Sequence, residues 1–254
     1  MEKSRLIILS EDIKKQGIAI GFFGIAFFLY VLLPLYLYIA LEGILENFYN
    51  VVESDPEAAE RMIGTIIKYL YLYNVSLMLT IGIISILLLA ICWFSSKILS
   101  AFKWDISSRI IRITGFVLVV LSVVLIVLNS LLTVKMKNAM MEYLIAYVHG
   151  ENYELKRTLL QSVVSFMFML TYIAIGVALF IVFIAMDTFS GNIGLFKNIK
   201  PCFKALTIGT ILYIIEMFIM IPLSVIVIPA ASFFTSRRLR KLSLTIKKYK
   251  TTEK

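Results

Sequence analysis

Five apolar runs leave this chain few folds to choose from. They fall at 17–40, 75–94, 113–134, 162–186 and 206–230. Each is close to the roughly 20 apolar residues that cross the hydrocarbon core of a bilayer. A lipid-embedded backbone has no water to pair with, so every N–H and C=O must be satisfied inside the segment, and the runs are expected to be helices. The strands of a membrane barrel would be about half as long and would alternate apolar and polar residues. The expected class is therefore all-α: a polytopic membrane helix bundle of about five spans, multi-pass in the cell membrane. The apolar share of the chain, 60%, exceeds the 45–50% typical of soluble domains.

The first run follows a stretch of 16 residues rich in charge and is too long for a signal-peptide core, so it is expected to be a retained span. Cys92 and Cys202 are the only cysteines, which speaks against a disulfide framework. The net charge is +9. The basic residues sit beside the spans and in the tail, where anionic lipid headgroups are the natural partner, and no groove-reading motif points to nucleic acid.

The chain also echoes itself at a spacing of 94 residues. Phe102-Lys103 recurs as Phe196-Lys197, and Gly21 as Gly115 and Gly209. Pro34-Leu35 recurs two periods later as Pro222-Leu223. Break signals repeat too: Asp55-Pro56 and His149-Gly150 are one period apart, with Pro suited to a helix start and Gly to a helix end. The organisation read from this is a basic juxtamembrane segment at 1–16, a first helical hairpin at 17–105 and a second at 106–200. A half unit follows, with the fifth span at 201–235 and a basic tail at 236–254. Helical patterning runs without a break from Pro56 to Phe94, and Glu151 to Met186 reads the same way, so each hairpin is expected to extend beyond the bilayer as a stalk. Met140, Met141, Leu144 and Val148 mark an apolar stripe on a short helix.

Charge gives conflicting orientations. Basic residues lie before the first span, between spans two and three, and between spans four and five, while the segment after span one is acidic. The positive-inside rule places the three basic segments in the cytoplasm. An odd number of spans then sends the tail outside, although it carries Arg237, Arg238, Arg240, Lys241, Lys247, Lys248, Lys250 and Lys254. A re-entrant fifth segment, broken at Pro222 and Pro229, would bring both ends to one side. In the tail, Leu239, Leu242, Ile246 and Tyr249 share a helical face. This fits an amphipathic helix lying in the interface, with Arg237, Arg238, Arg240, Lys241, Lys247 and Lys248 on lipid headgroups; a solvated basic tail is the alternative.

Candidate chemistry is sparse. Glu216, eleventh in its run, is the one carboxylate deep inside any span. Intramembrane ionisable groups are candidate sites. It would serve either as a proton or cation site or as a neutral acid hydrogen-bonded to a neighbouring helix at Ser122, Asn129 or Thr171. Its counterparts in the repeat are Phe28 and Ser122. His149, the only histidine, reads as a surface loop residue. It cannot build a metal cluster, and Ser10, Ser54 and Ser76 lack the motif of a nucleophile. No cofactor is expected. Tyr36, Tyr38, Tyr49, Tyr69, Tyr71, Tyr73, Trp93 and Trp104 fall near span ends, as interfacial aromatics do. Gly17 and Gly21 form a small-xxx-small pair that allows close helix contact.

Basic residues leading into a glycine-containing apolar run occur at Lys14-Lys15-Gln16-Gly17, Arg112-Ile113-Thr114-Gly115 and Lys204-Ala205-Leu206-Thr207-Ile208-Gly209. In this the chain resembles archaeal multi-span membrane proteins of uncharacterised function, a resemblance that implies neither activity nor site residues. The functional expectation is a non-catalytic integral membrane subunit or scaffold. Its partners would be lipids and other membrane subunits, or copies of itself. The alternative is a small transporter or channel using Glu216 and the proline-broken fifth span. No acid–base pair or metal set points to an enzyme.

Overall fold

A computed structural model describes residues 3–150, 154–219 and 223–252. Its helices are α1 (Lys3–Ser54), α2 (Pro56–Ala101), α3 (Asp105–Val148), α4 (Glu154–Asn192), α5 (Lys200–Ile219) and α6 (Ser224–Thr252), with a single 3-10 turn at Gly194–Phe196. No strand occurs among the described residues. The chain is an all-helical membrane bundle, and four helices among the described residues are long and apolar enough to cross a bilayer. These carry the first four apolar runs.

The helices outrun the runs. α1 has 52 residues, about 78 Å at 1.5 Å per residue, against a hydrocarbon core of about 30 Å. α2, α3 and α4 have 46, 44 and 39 residues. The expected uninterrupted helices from Pro56 and from just past Gly150 are present as α2 and α4. The basic stretch at 1–16 is not a separate segment where described, because it continues into α1. The stripe around Met140 belongs to the end of α3 and not to a short helix of its own.

Local chemistry places the breaks. Asp55 caps α2: its carboxylate accepts the Ala58 N–H at 3.0 Å, Pro56 takes the first helical position, and Glu57 sits in the first turn. Each choice suits a helix N-terminus, where N–H groups and the positive dipole end are exposed. α3 ends at Val148, and Gly150 follows at φ 68°, a left-handed conformation that costs glycine nothing. Between α2 and α3 the left-handed residue is Lys103, φ 62°. The Trp104 N–H bonds the Leu99 carbonyl and the Lys103 N–H the Ser100 carbonyl, so the turn is a Schellman-type C-cap. The breaks at Asp55-Pro56 and His149-Gly150 thus fall where the sequence puts them. Tyr49 and Tyr143, also 94 residues apart, share a hydroxyl–hydroxyl bond of 3.0 Å.

The fifth run differs from expectation. It is not one helix over 206–230. α5 ends at Ile219 and α6 begins at Ser224, and the two run antiparallel against each other. Glu216 meets Ser224, Gly209 lies against Val227 and Ile228, and the Arg238 guanidinium reaches the Asn198 carbonyl. The reversal falls in the stretch containing Pro222, which lies outside the described residues; Pro229 sits inside α6. The basic tail is no separate element either, since α6 runs unbroken into it.

The chain divides into two compact units. Unit 2 comprises 29–81 and 123–171, the far halves of the two helical hairpins. Its core joins Leu41 and Phe48 of α1, Ala59, Ile63, Ile66 and Leu70 of α2, and Met136, Met140, Tyr143 and Leu144 of α3. Met141, expected in the stripe, points outward. Tyr49 and Tyr147 rings meet edge-on at 5.0 Å beside this core, so Tyr49 packs against its own chain. Asn74, part of a formal glycosylation sequon, is buried and bonds the Leu70 carbonyl.

Unit 1 comprises 1–28, 82–122 and 172–254, and it is built around the first half of α1. Gln16 reaches α2, its amide donating to the Ser95 hydroxyl at 2.8 Å. Phe23 meets Phe183 of α4 at 5.3 Å between ring centroids, and Phe27 meets Tyr213 of α5 at 5.5 Å. The third side of α1 carries Gly17, Gly21 and Gly24, and α6 presses on all three. A Cβ on Gly21 would lie 2.9 Å from the Ser236 hydroxyl, and one on Gly24 2.6 Å from the Ser232 Cβ. The small-residue pattern seen in sequence is therefore an internal seam between helices of one chain.

Two outcomes test this fold. Gly24→Ala should cost about 1–3 kcal/mol through overpacking of the α1–α6 seam. Gly43→Ala, on the same helix with nothing within 4 Å, should be neutral or stabilise by up to about 1 kcal/mol; thermal unfolding in detergent compares them. Four helices able to cross, followed by the α5–α6 reversal, predict that the α2–α3 turn and the far part of α6 face the same side of the membrane. With Cys92 and Cys202 replaced by Ala, cysteines at Lys103 and Thr245 should react with an impermeant maleimide from one face of sealed vesicles. Cysteines at Ser54 and His149 should react from the other. Labelling of positions 103 and 245 from opposite faces would refute the hairpin.

Candidate intramembrane polar site

Glu216 lies three residues before the end of α5 and points across to the start of α6. Both of its carboxyl oxygens are engaged by Ser224: one by the backbone N–H, the other by the hydroxyl. The reason lies in the cap. The Leu223 carbonyl accepts the first bonds of α6, from Ile226 and Val227 at 3.1 Å, so Leu223 occupies the N-cap. A leucine side chain has no oxygen to offer the orphan N–H groups of the first turn. Glu216 supplies that oxygen from the neighbouring helix, and the positive end of the α6 dipole favours a carboxylate there. Ser224 is fully buried, so an unmet N–H would be costly.

The hydrogen-bond partners expected for Glu216 are occupied elsewhere. Ser122 pairs with the Ser85 hydroxyl at 2.5 Å. The Asn129 amide donates to the Thr171 hydroxyl at 3.1 Å. The packing role anticipated for Glu216 is thus met by a different group, one turn of chain away through the reversal.

Other polar contacts in unit 1 act as ties between helices. The Tyr172 hydroxyl donates to the Tyr213 carbonyl at 2.5 Å, with the two rings stacked at 4.0 Å, and Gly176 lets α4 approach α5 at Tyr213 and Ile214. At the α2–α3 turn, Ser108 bonds the Ser96 hydroxyl at 2.8 Å and the Ser100 hydroxyl at 2.7 Å. The Arg112 guanidinium donates to Ser96 at 3.2 Å. Arg112 and Lys97 both lie over the Trp93 ring, at 5.3 and 5.8 Å from its centroid. In unit 2, His149 is half exposed and sits 3.5 Å from Glu60.

The residues expected at lipid headgroups, Arg237, Arg238, Arg240, Lys241, Lys247 and Lys248, are all exposed on α6. The apolar face expected to lie in the interface does not. Leu239 is 0% exposed and meets the position of Gly17. Ile246 is buried, and Ser243 donates to the Ser10 carbonyl at 2.7 Å; the Tyr249 side chain lies outside the described residues. That face is turned onto α1. The large apolar side chains that α6 exposes are Ile226, Phe233, Phe234 and Leu244, a different set.

Among the described residues, no group of three or more His, Cys, Asp or Glu side chains is placed to hold a metal ion. No family model, curated protein or solved structure matches the chain.

Sequence reasoning missed the Glu216–Ser224 pair. A glutamate and a serine flanking a proline-containing break, eight residues apart, was the available signal. It becomes legible only once the segment is read as two helices. Glu216→Leu should destabilise the protein by about 1–3 kcal/mol, the cost of an unmet buried donor. Adding Leu223→Ser, which gives α6 a cap of its own, should recover about 1 kcal/mol. Thermal unfolding in detergent reads both; no recovery in the double variant would mean that Glu216 does not act as a cap.

Proposed function

We propose that this membrane protein is a non-catalytic subunit or scaffold of a larger membrane assembly. The observation that carries the reading is the fate of Glu216: the one deep carboxylate is consumed in capping a helix of its own chain. Intramembrane proton and ion pathways are built from chains of Asp, Glu and His side chains facing the bundle interior or a water-filled cavity. Here each bonded polar pair described, from Gln16–Ser95 to Asn129–Thr171, ties one helix to another.

The outer surface is consistent with this reading. Only 11% of the most apolar window of α3 is buried, against 44% for each of the other three spanning helices. Ile113, Val120, Leu131 and Val134 are among its outward residues. A helix so little used by its own fold is available to lipid and to partner helices. The far halves of the hairpins carry Glu42, Glu46, Glu53, Asp55, Glu57 and Glu60 outward, a polar surface suited to contacts outside the bilayer. A transporter would need Glu216 free to exchange its ligand.

The test is purification of the full chain from its native membrane in a mild detergent. Other membrane proteins, or further copies of the chain, should remain bound in fixed proportion. A monodisperse single chain that moves ions across liposomes, with the flux abolished by Glu216→Gln, would replace this reading with the transporter.

A further inference from the structure

We infer that α6 carries a discrete binding site for one anionic phospholipid, its phosphate held by Arg237, Arg240 and Lys241. The three cations recur at spacings of three and four residues, so they share a face of the helix. With Phe233, Ser236 and Leu244 they line a surface concavity of about 210 Å³. Three cations gathered on little more than one turn repel one another and need an anion. The helix supplies none of its own: α6 contains no Asp or Glu. Among the described residues, none of the three has a carboxylate within ion-pair distance.

The apolar part of the site names the kind of anion. Phe233 and Phe234 are 63% and 55% exposed at the end of the cluster that leads back into the apolar half of α6, and Ile226 beyond them is 70% exposed. A ligand that puts phosphate on the guanidinium groups and hydrocarbon along Phe233 satisfies both surfaces. Free phosphate satisfies only the first. Arginine also offers paired N–H donors matched to phosphate oxygens. Three other basic residues of α6 stand apart: Arg238 is bound to the Asn198 carbonyl, and Lys247 and Lys248 lie beyond the concavity. A lipid without net charge leaves the cluster uncompensated, so phosphatidylglycerol should be preferred over phosphatidylcholine.

Native mass spectrometry of the full-length protein in detergent, titrated with each lipid, tests the site. The expected result is one phosphatidylglycerol retained at concentrations where phosphatidylcholine is not. Each cation near an anionic lipid is worth about fivefold in affinity, so Arg237→Gln with Arg240→Gln should weaken retention about 25-fold. Lys247→Gln with Lys248→Gln removes the same charge and should leave retention nearly unchanged. Phe233→Ala should weaken the lipid and spare inorganic phosphate. All variants are compared at equal thermal stability, and Arg237→Lys with Arg240→Lys gives a milder pair should the first fail to fold. Equal losses from the two double variants would reduce the site to diffuse attraction and overturn it. Displacement of the lipid by millimolar inorganic phosphate, with Phe233→Ala silent, would overturn it in favour of free phosphate.

Discussion

The bond between Glu216 and Ser224 decides where the second half of unit 1 goes. An apolar chain that reverses direction must end one helix and start another. Each new end exposes backbone groups with no partner inside the helix. Without a capping residue at position 223, the start of α6 needs an acceptor from elsewhere, and the last turn of α5 provides one. With that end satisfied, α6 can run back along α5 and α1 instead of continuing outward. The basic tail then follows, because it is the same helix.

The return of α6 explains the small residues of α1. Gly17, Gly21 and Gly24 would each place a Cβ at or inside 3.0 Å of an α6 atom, so the seam exists because those side chains are missing. α6 contributes Ser232 and Ser236, also small, at the matching heights. Leu239 and Ile246, which on sequence pattern alone belong to an interfacial helix, are drawn into this seam. The arginines and lysines are left on the outer face, with Phe233, Phe234 and Leu244 in the apolar positions beside them. The amphipathic pattern was real; its apolar side faces protein.

The same reversal removes the conflict in charge. Read as five crossings, the chain sends its basic tail away from its other basic segments. With α5 and α6 folded back on each other, the start of α1, the α2–α3 turn, the α4–α5 turn and the end of α6 gather at one end of unit 1. The basic tail then lies with the other three strongly basic segments, the grouping that the positive-inside rule favours.

Much of this was determined by sequence alone, because lipid leaves the backbone so little choice. The helical class, the first four spans, their extension beyond the bilayer and the breaks at Asp55-Pro56 and His149-Gly150 all follow from apolar run length and local cap chemistry. What required the tertiary structure is every decision about partners. Run length cannot distinguish one 25-residue span from two helices folded together, since both are equally apolar. A stripe such as Leu239 and Ile246 does not say whether lipid or α1 will cover it, since burial satisfies it equally either way. Glu216 is the clearest instance: its position marks it as exceptional, but its role depends on the one serine, eight residues on, that the reversal of the chain brings back to it.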